Sequence, residues 1–384
     1  MITSGINYKN FNLIKISNLV KKKLKLVLKE NNPVIQSLKK NYKDSFSSKD
    51  IRKYKTLSDF RIIGMGGSSL GSQAIHDFLK FKIKKNFFFI NNLQSKINFN
   101  KNKKYLNLVI SKSGNTIETI VNSSVYVKKQ DQNIFITNKK KNYLNTLAKK
   151  LRSEVIHHNN FIGGRYSVLS EVGMLPAELM GLNPKNFRQL NNLVKNKRYL
   201  NSLILNVSSI SYFLSKKKFN SIILNYDEQS ANFFSWYQQL VAESLGKKGK
   251  GLLPIISTMP KDNHSMMQFY LDGLKNNFFT FFYVKSKDNT KINNNNIFNQ
   301  NSFLKNKTLK DIIFAQKEAT ENIFKKKNIP YRSFEIVRRD EKTLGELFCF
   351  FILETILLGK IMKVDPYNQP SVELIKKETK KILI

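Results

Sequence analysis

The chain has one cysteine in 384 residues, Cys349, so no disulfide can form within it, which suits a reducing, cytoplasmic setting. Histidine is also scarce. The four histidines are scattered, which leaves no His/Cys cluster with metal-ligand spacing. No long apolar run is present either. The most apolar stretch, LFCFFILETILLG at 347–359, is broken by Glu354 and short for a membrane span, so it reads as a buried helix. Residues 1–30 carry lysines throughout, with no apolar core and no small-residue cleavage site, and are not read as a signal peptide.

Acidic residues are few, 27 against 66 Lys and Arg, for a net charge of +39. Such an excess can mark a nucleic-acid binder, because neutralised phosphates release counterions. Here lysine is spread along the whole chain beside abundant Asn and Ile, as coding biased toward A and T would produce, and no recognisable nucleic-acid module accompanies it. Specific nucleic-acid binding is therefore not expected. Attraction of small anions is.

What the chain does have is 41% hydrophobic and 12% aromatic residues, enough for a globular core, and length enough for two domains. Residues 1–55 show lysine-rich helical periodicity and read as one or two peripheral amphipathic helices. Beyond them FRIIGMGG, NFFFINN, LNLVISKSGN, NIFITN and SEVIHHN are strand-like, with helical stretches between several of them. After a helical link near 183–205 the alternation resumes with NSIILNY, LLPIIS, NFFTFFYV and RSFEIV. Two such blocks predict two doubly wound α/β domains with mainly parallel sheets, at 56–200 and 201–384, plus peripheral N-terminal and C-terminal helices. The asparagine-rich segment 287–303 reads as a surface loop.

In doubly wound sheets ligands sit beyond the carboxyl ends of the strands, so the strand-to-helix loops are where chemistry is sought. The first, GMGGSSLGS, begins like a dinucleotide fingerprint. Its third glycine position is Ser69, and no acid ends the next strand at Asn91 and Asn92, which disfavours a nicotinamide cofactor. The lysine and hydroxyl of a P-loop are missing too, which disfavours a nucleoside triphosphate. What remains is a glycine turn, Gly66 and Gly67, flanked by Ser68 and able to present backbone N–H groups to an anion or a sugar. The second loop, SKSGNTIET, sets Ser111, Ser113 and Thr116 around a glycine before a helix, a pattern suited to holding a phosphate dianion. Ordinary N-capping would account for one of those hydroxyls, not for three.

GMGGSSLGS, SKSGNTIET, GGRYSVLSEVGMLPAEL, QQLVAESLGKKGKG, DNHSMMQ and VDPYNQPSVELIKK stand in the order of the signature segments of the glucose-6-phosphate isomerases, within the wider superfamily of sugar-isomerase (SIS) domains. The resemblance runs over roughly 60–384. It implies reversible conversion of glucose 6-phosphate and fructose 6-phosphate through a cis-enediol intermediate, with no cofactor and no metal, in a cytoplasmic homodimer. By the same resemblance Glu243 matches the proton-shuttling base, Arg165 the arginine facing the enediolate oxygens, His264 a ring-opening histidine entering from a partner subunit, and Lys376, beside Lys377, the lysine near the ring oxygen. Gly66, Gly67, Ser68, Ser111, Lys112, Ser113, Thr116 and Gln369 fall at substrate-binding places. Asn368, Ser371 and Ile375 depart from the usual C-terminal segment. Two rival readings are a phosphomannose or dual-specificity isomerase and a non-catalytic phosphosugar-binding regulator.

Overall fold

The structure is a computed structural model that describes residues 1–12, 16–94, 97–100, 103–285, 290–292 and 302–384. Its strands among those residues are β1 (Ile6–Lys9), β2 (Asp59–Gly64), β3 (Asn86–Ile90), β4 (Leu106–Ile110), β5 (Gln132–Thr137), β6 (Glu154–His157), β7 (Asn220–Asn225), β8 (Leu253–Thr258), β9 (Asn277–Val284) and β10 (Tyr331–Ile336). They form two five-stranded sheets. One has the order β3-β2-β4-β5-β6, parallel throughout; the other is β1-β10-β9-β7-β8, parallel except for β1. The expected α/β class with mainly parallel sheets is the observed one.

The strands that read clearly in sequence are those buried on both faces. Every residue of β2, β4 and β9 is buried, so each appears as a mainly apolar run with few polar residues in it. The expectation of helices over 1–55 is corrected at its start: Ile6–Lys9 is a strand, paired antiparallel with β10 in register Ile6↔Ile336 to Lys9↔Ser333. Helices do follow, at Asn18–Lys29 and Pro33–Ser37, and the link expected near 183–205 holds Pro184–Phe187, Leu190–Leu193 and the start of Lys197–Ser215. The loop expected at 287–303 lies largely outside the described residues.

One apolar core joins the two sheets. The helix Leu70–Phe78 after β2 packs on the helix Ala231–Leu245 after β7, and both share that core with the helix Glu341–Met362. This last helix is the apolar stretch read as a buried helix, and it is buried without a break from Thr343 to Gly359. No helix among the described residues is long and apolar enough to cross a membrane. The seam between the sheets is where the carboxyl-end loops of the first sheet meet the helix that carries Glu243.

Candidate active site

The turn after β2 is pressed into that seam by glycines that admit no side chain. A Cβ on Gly67 would lie 2.1 Å from the carbonyl carbon of Gly164, so the turn rests directly on the backbone leading into Arg165. Gly66 has φ +53°, and a Cβ there would come 2.8 Å from Nε2 of Gln239. Ser68 is half-buried beside them.

Arg165 belongs to the 3₁₀ turn Gly164–Leu169 and is 1% exposed. A buried guanidinium needs a partner for each donor, and this one is gripped on every side. Its Nε donates to Oγ of Ser244 (2.7 Å), Nη2 to the carbonyls of Pro366 (2.8 Å) and Asn368 (3.0 Å), and Nη1 to Oε1 of Gln369 (2.7 Å). Nη1 also reaches Oε2 of Glu243 at 3.2 Å. Tyr166 extends the grip, its hydroxyl sharing a hydrogen bond with Ser244 (2.9 Å) and donating to the Pro366 carbonyl (3.0 Å). The indole of Trp236 donates to the Arg165 carbonyl (3.0 Å).

Glu243 lies in the last turn of the helix Ala231–Leu245. Its side chain is 28% exposed, so one face of the ion pair is open. Nε2 of Gln239, one helical turn back, donates to its Oε1 at 2.9 Å. The Glu243 carboxylate is thus oriented from two sides and reachable from a third.

The loop after β4 is built differently. Ser111 is buried and its hydroxyl shares a 2.9 Å hydrogen bond with that of Thr116. Thr116 precedes the helix Ile117–Tyr126 but makes no side-chain cap to it, which leaves the first N–H groups of that helix uncapped. Ser113 is exposed and accepts from the Asn115 N–H at 3.2 Å. Lys112 is half-buried, and its pKa lies below the ordinary lysine value because of burial and then the positive charge of Arg165. That coupling ties this loop electrostatically to the arginine.

The structure therefore brings Glu243, Arg165, Gly66, Gly67 and Gln369 together, with Lys112 in range. It does not bring His264 or Lys376 to them. His264 is exposed at the end of the short helix Lys261–His264 that follows β8, an edge strand. Lys376 sits on the helix Val372–Ile382, which buries none of its residues, and pairs with Glu373 at 2.7 Å. Two residues of the assembly, Gln239 and Ser244, escaped sequence reasoning. The spacing of Gln239 four residues before Glu243, on one helix face, was the available signal.

The phosphoglucose isomerase family model matches residues 15–384. A glucose-6-phosphate isomerase of Methanocaldococcus jannaschii is 30% identical over 360 residues, covering 88% of this chain and 88% of its own. One of Mesomycoplasma hyopneumoniae strain J is 33% identical over 361 residues, covering 84% of this chain and 82% of its own. A solved glucose-6-phosphate isomerase of Chlamydia trachomatis superposes with a TM-score of 0.74 over 99% of this chain and 89% of its own, at 17% identity, and so shares the fold. The tagatose-6-phosphate ketose/aldose isomerase of Escherichia coli shares it more distantly, with a TM-score of 0.57 at 12% identity over 92% of this chain and 98% of its own. On the whole-length family match and these relatives, the chain belongs to the phosphoglucose isomerase family.

Proposed function

We propose that this protein interconverts glucose 6-phosphate and fructose 6-phosphate, with Glu243 as the base. The observation that carries the reading is the half-open Glu243–Arg165 pair, a carboxylate 28% exposed whose cationic partner is buried and fully held. An aldose–ketose isomerisation needs a base to move one proton between adjacent carbons and a fixed cation where oxygen charge develops. In the open-chain aldose the carboxylate of Glu243 takes the proton from C2. The C–H electron pair becomes the C1–C2 double bond of an enediolate, and the former carbonyl electrons move onto O1, facing Arg165. The O2 hydroxyl proton passes to O1, and as the O2 electrons form the C2 carbonyl the proton held by Glu243 is delivered to C1, which yields the ketose. Proton and electrons balance within the substrate, so the reaction calls for no cofactor.

The uncapped helix start at Thr116, with Ser111, Lys112, Ser113 and the N–H groups around Gly66, Gly67 and Ser68, receives the phosphate and sugar in this reading. Gln369 holds Arg165 and lines the same side. Ring opening falls to His264 of the partner subunit in a homodimer, with Lys376 beside the ring oxygen. The protein works in the cytoplasm.

The test is conversion of fructose 6-phosphate by the purified protein with chelator present, alongside Glu243→Gln. Conversion that survives chelation and falls about 10²–10⁴-fold in the variant, with phosphosugar still bound, is the expected result. A variant that keeps most of its turnover removes Glu243 as the base. Failure of the folded wild-type protein to convert either sugar favours a phosphosugar-binding regulator.

A further inference from the structure

Immediately beyond the helix that carries Glu243 the chain folds back on itself. Lys247 and Lys250 exchange backbone hydrogen bonds of 2.9 Å and 3.0 Å, while Lys248 (φ 53°) and Gly249 (φ 69°) make the tight turn between them. Residues paired across such a turn project their side chains to one face. Here both flanking residues are lysines; one ammonium group reaches the connector between the helices Glu341–Met362 and Val372–Ile382, the other the end of the first of those helices. Nζ of Lys247 donates to the carbonyl of Asp365 and Nζ of Lys250 to that of Met362. The same connector supplies Arg165 with the carbonyls of Pro366 and Asn368 and with Oε1 of Gln369.

The two lysines differ in what surrounds them. Lys250 is exposed and meets the last residue of the helix, Met362, away from the residues that hold Arg165. Lys247 is half-buried and bonds next to Pro366. Its pKa lies below the ordinary lysine value through burial and then the charge of Arg165, with Asp365 and Glu243 acting in the opposite sense. The Lys247 ammonium therefore stands within the field of the ion pair.

We propose that Lys247 is a positioning residue for the isomerisation: it clasps the connector at Asp365 so that the connector keeps its grip on Arg165. This rests on the isomerase reading above. The arginine that the connector holds is the one whose Nη1 reaches Oε2 of Glu243, and Lys247 holds the connector at the carbonyl of Asp365.

The test measures kcat, KM and melting temperature for the full chain and for Lys247→Met, Lys247→Gln, Lys247→Arg and Lys250→Met. Lys247→Met is expected to lower kcat about five- to tenfold with KM within about twofold, the size of one lost charge-assisted hydrogen bond. Lys247→Gln lowers kcat in the same sense even if Lys247→Met folds poorly. Lys247→Arg restores kcat, and Lys250→Met leaves it within about twofold. A merely structural clasp would lower the melting temperature and leave kcat of the folded protein in place. Wild-type kcat in both neutral variants overturns the proposal, and so does a loss confined to KM. A wild-type protein with no isomerase activity would instead fail the reading on which it rests.

Discussion

Arg165 and Arg332 are both sealed from solvent, at 1% and 0% exposure, and each faces a glutamate, yet the two pairs are built for different ends. Arg332, on β10, is ion-paired with Glu354, which is itself 0% exposed inside the apolar helix Glu341–Met362. It donates as well to Oγ1 of Thr280 (2.9 Å) and Oδ1 of Asn206 (2.7 Å). Burial works against the Arg332 charge, but Glu354 with Tyr8 and Tyr237 more than offsets it, and the pKa lies above the ordinary arginine value. Arg165 is held as tightly, but its carboxylate, Glu243, is left 28% exposed. A pair closed on both sides can only hold the fold together. A pair with its cation closed and its anion open can meet a substrate, and that difference in exposure, more than the residue types, separates a site from a strut.

The largest expected effects break the comparison directly. Arg332→Met leaves the Glu354 carboxylate buried without its partner and should lower unfolding stability by about 3–5 kcal/mol, with kcat of the folded protein nearly unchanged. Glu243→Gln should do the reverse, removing turnover while stability in denaturant titration stays within about 1 kcal/mol, since Arg165 keeps Ser244, Gln369 and two carbonyls. Equal stability losses in the two variants would mean that the open pair is a strut as well.

Most of this was visible in the sequence where burial is two-sided. β2, β4 and β9, buried throughout, announce themselves as mainly apolar runs bounded by turn residues. β1 does not, because INYK is short, only partly buried and paired with a strand more than three hundred residues away, a non-local contact that periodicity cannot report. Glu354 read only as an interruption in an apolar helix. A charge in such a helix demands a buried partner, so the existence of a strut was legible even though its identity as Arg332 was not. At the site, the motifs pointed to Glu243, Arg165, Gly66, Gly67 and Gln369, which the fold does gather. Of the residues that orient them, Gln239, Ser244 and Tyr166 lie inside the signature segments without being singled out there, and Trp236 lies outside them. Nor could the sequence say that His264 and Lys376 would stand clear of the others, since position along the chain does not tell which residues one copy can bring together.

A smaller effect sharpens the comparison at the phosphate end. Combined Ser113→Ala and Thr116→Ala replacement removes two hydroxyls from the loop after β4, one exposed and one already bonded to Ser111. The expected outcome is a KM raised about tenfold with kcat nearly kept, because these groups bind the phosphate equally in ground and transition states. An unchanged KM in steady-state assays would move the phosphate elsewhere, and the open pair would then lack its neighbouring anchor.

The smallest expected effect concerns Lys112, where function and stability pull in opposite directions. Burial and the Arg165 charge hold its folded pKa below the unfolded value of 10.5, so folding disfavours the ammonium form. The resulting destabilisation is fully present below the folded pKa and fades as pH rises toward 10.5. A neutral Lys112→Met variant should therefore melt slightly higher than the parent at pH 7, with the gain shrinking as the melts are repeated at increasing alkalinity. The same change removes a cation from the phosphate loop and should raise KM for the phosphosugar. A variant that melts lower at pH 7 with KM unchanged would place Lys112 among the struts. A higher melting temperature bought with weaker binding would mark it, like Glu243, as a charge the fold keeps open for a ligand.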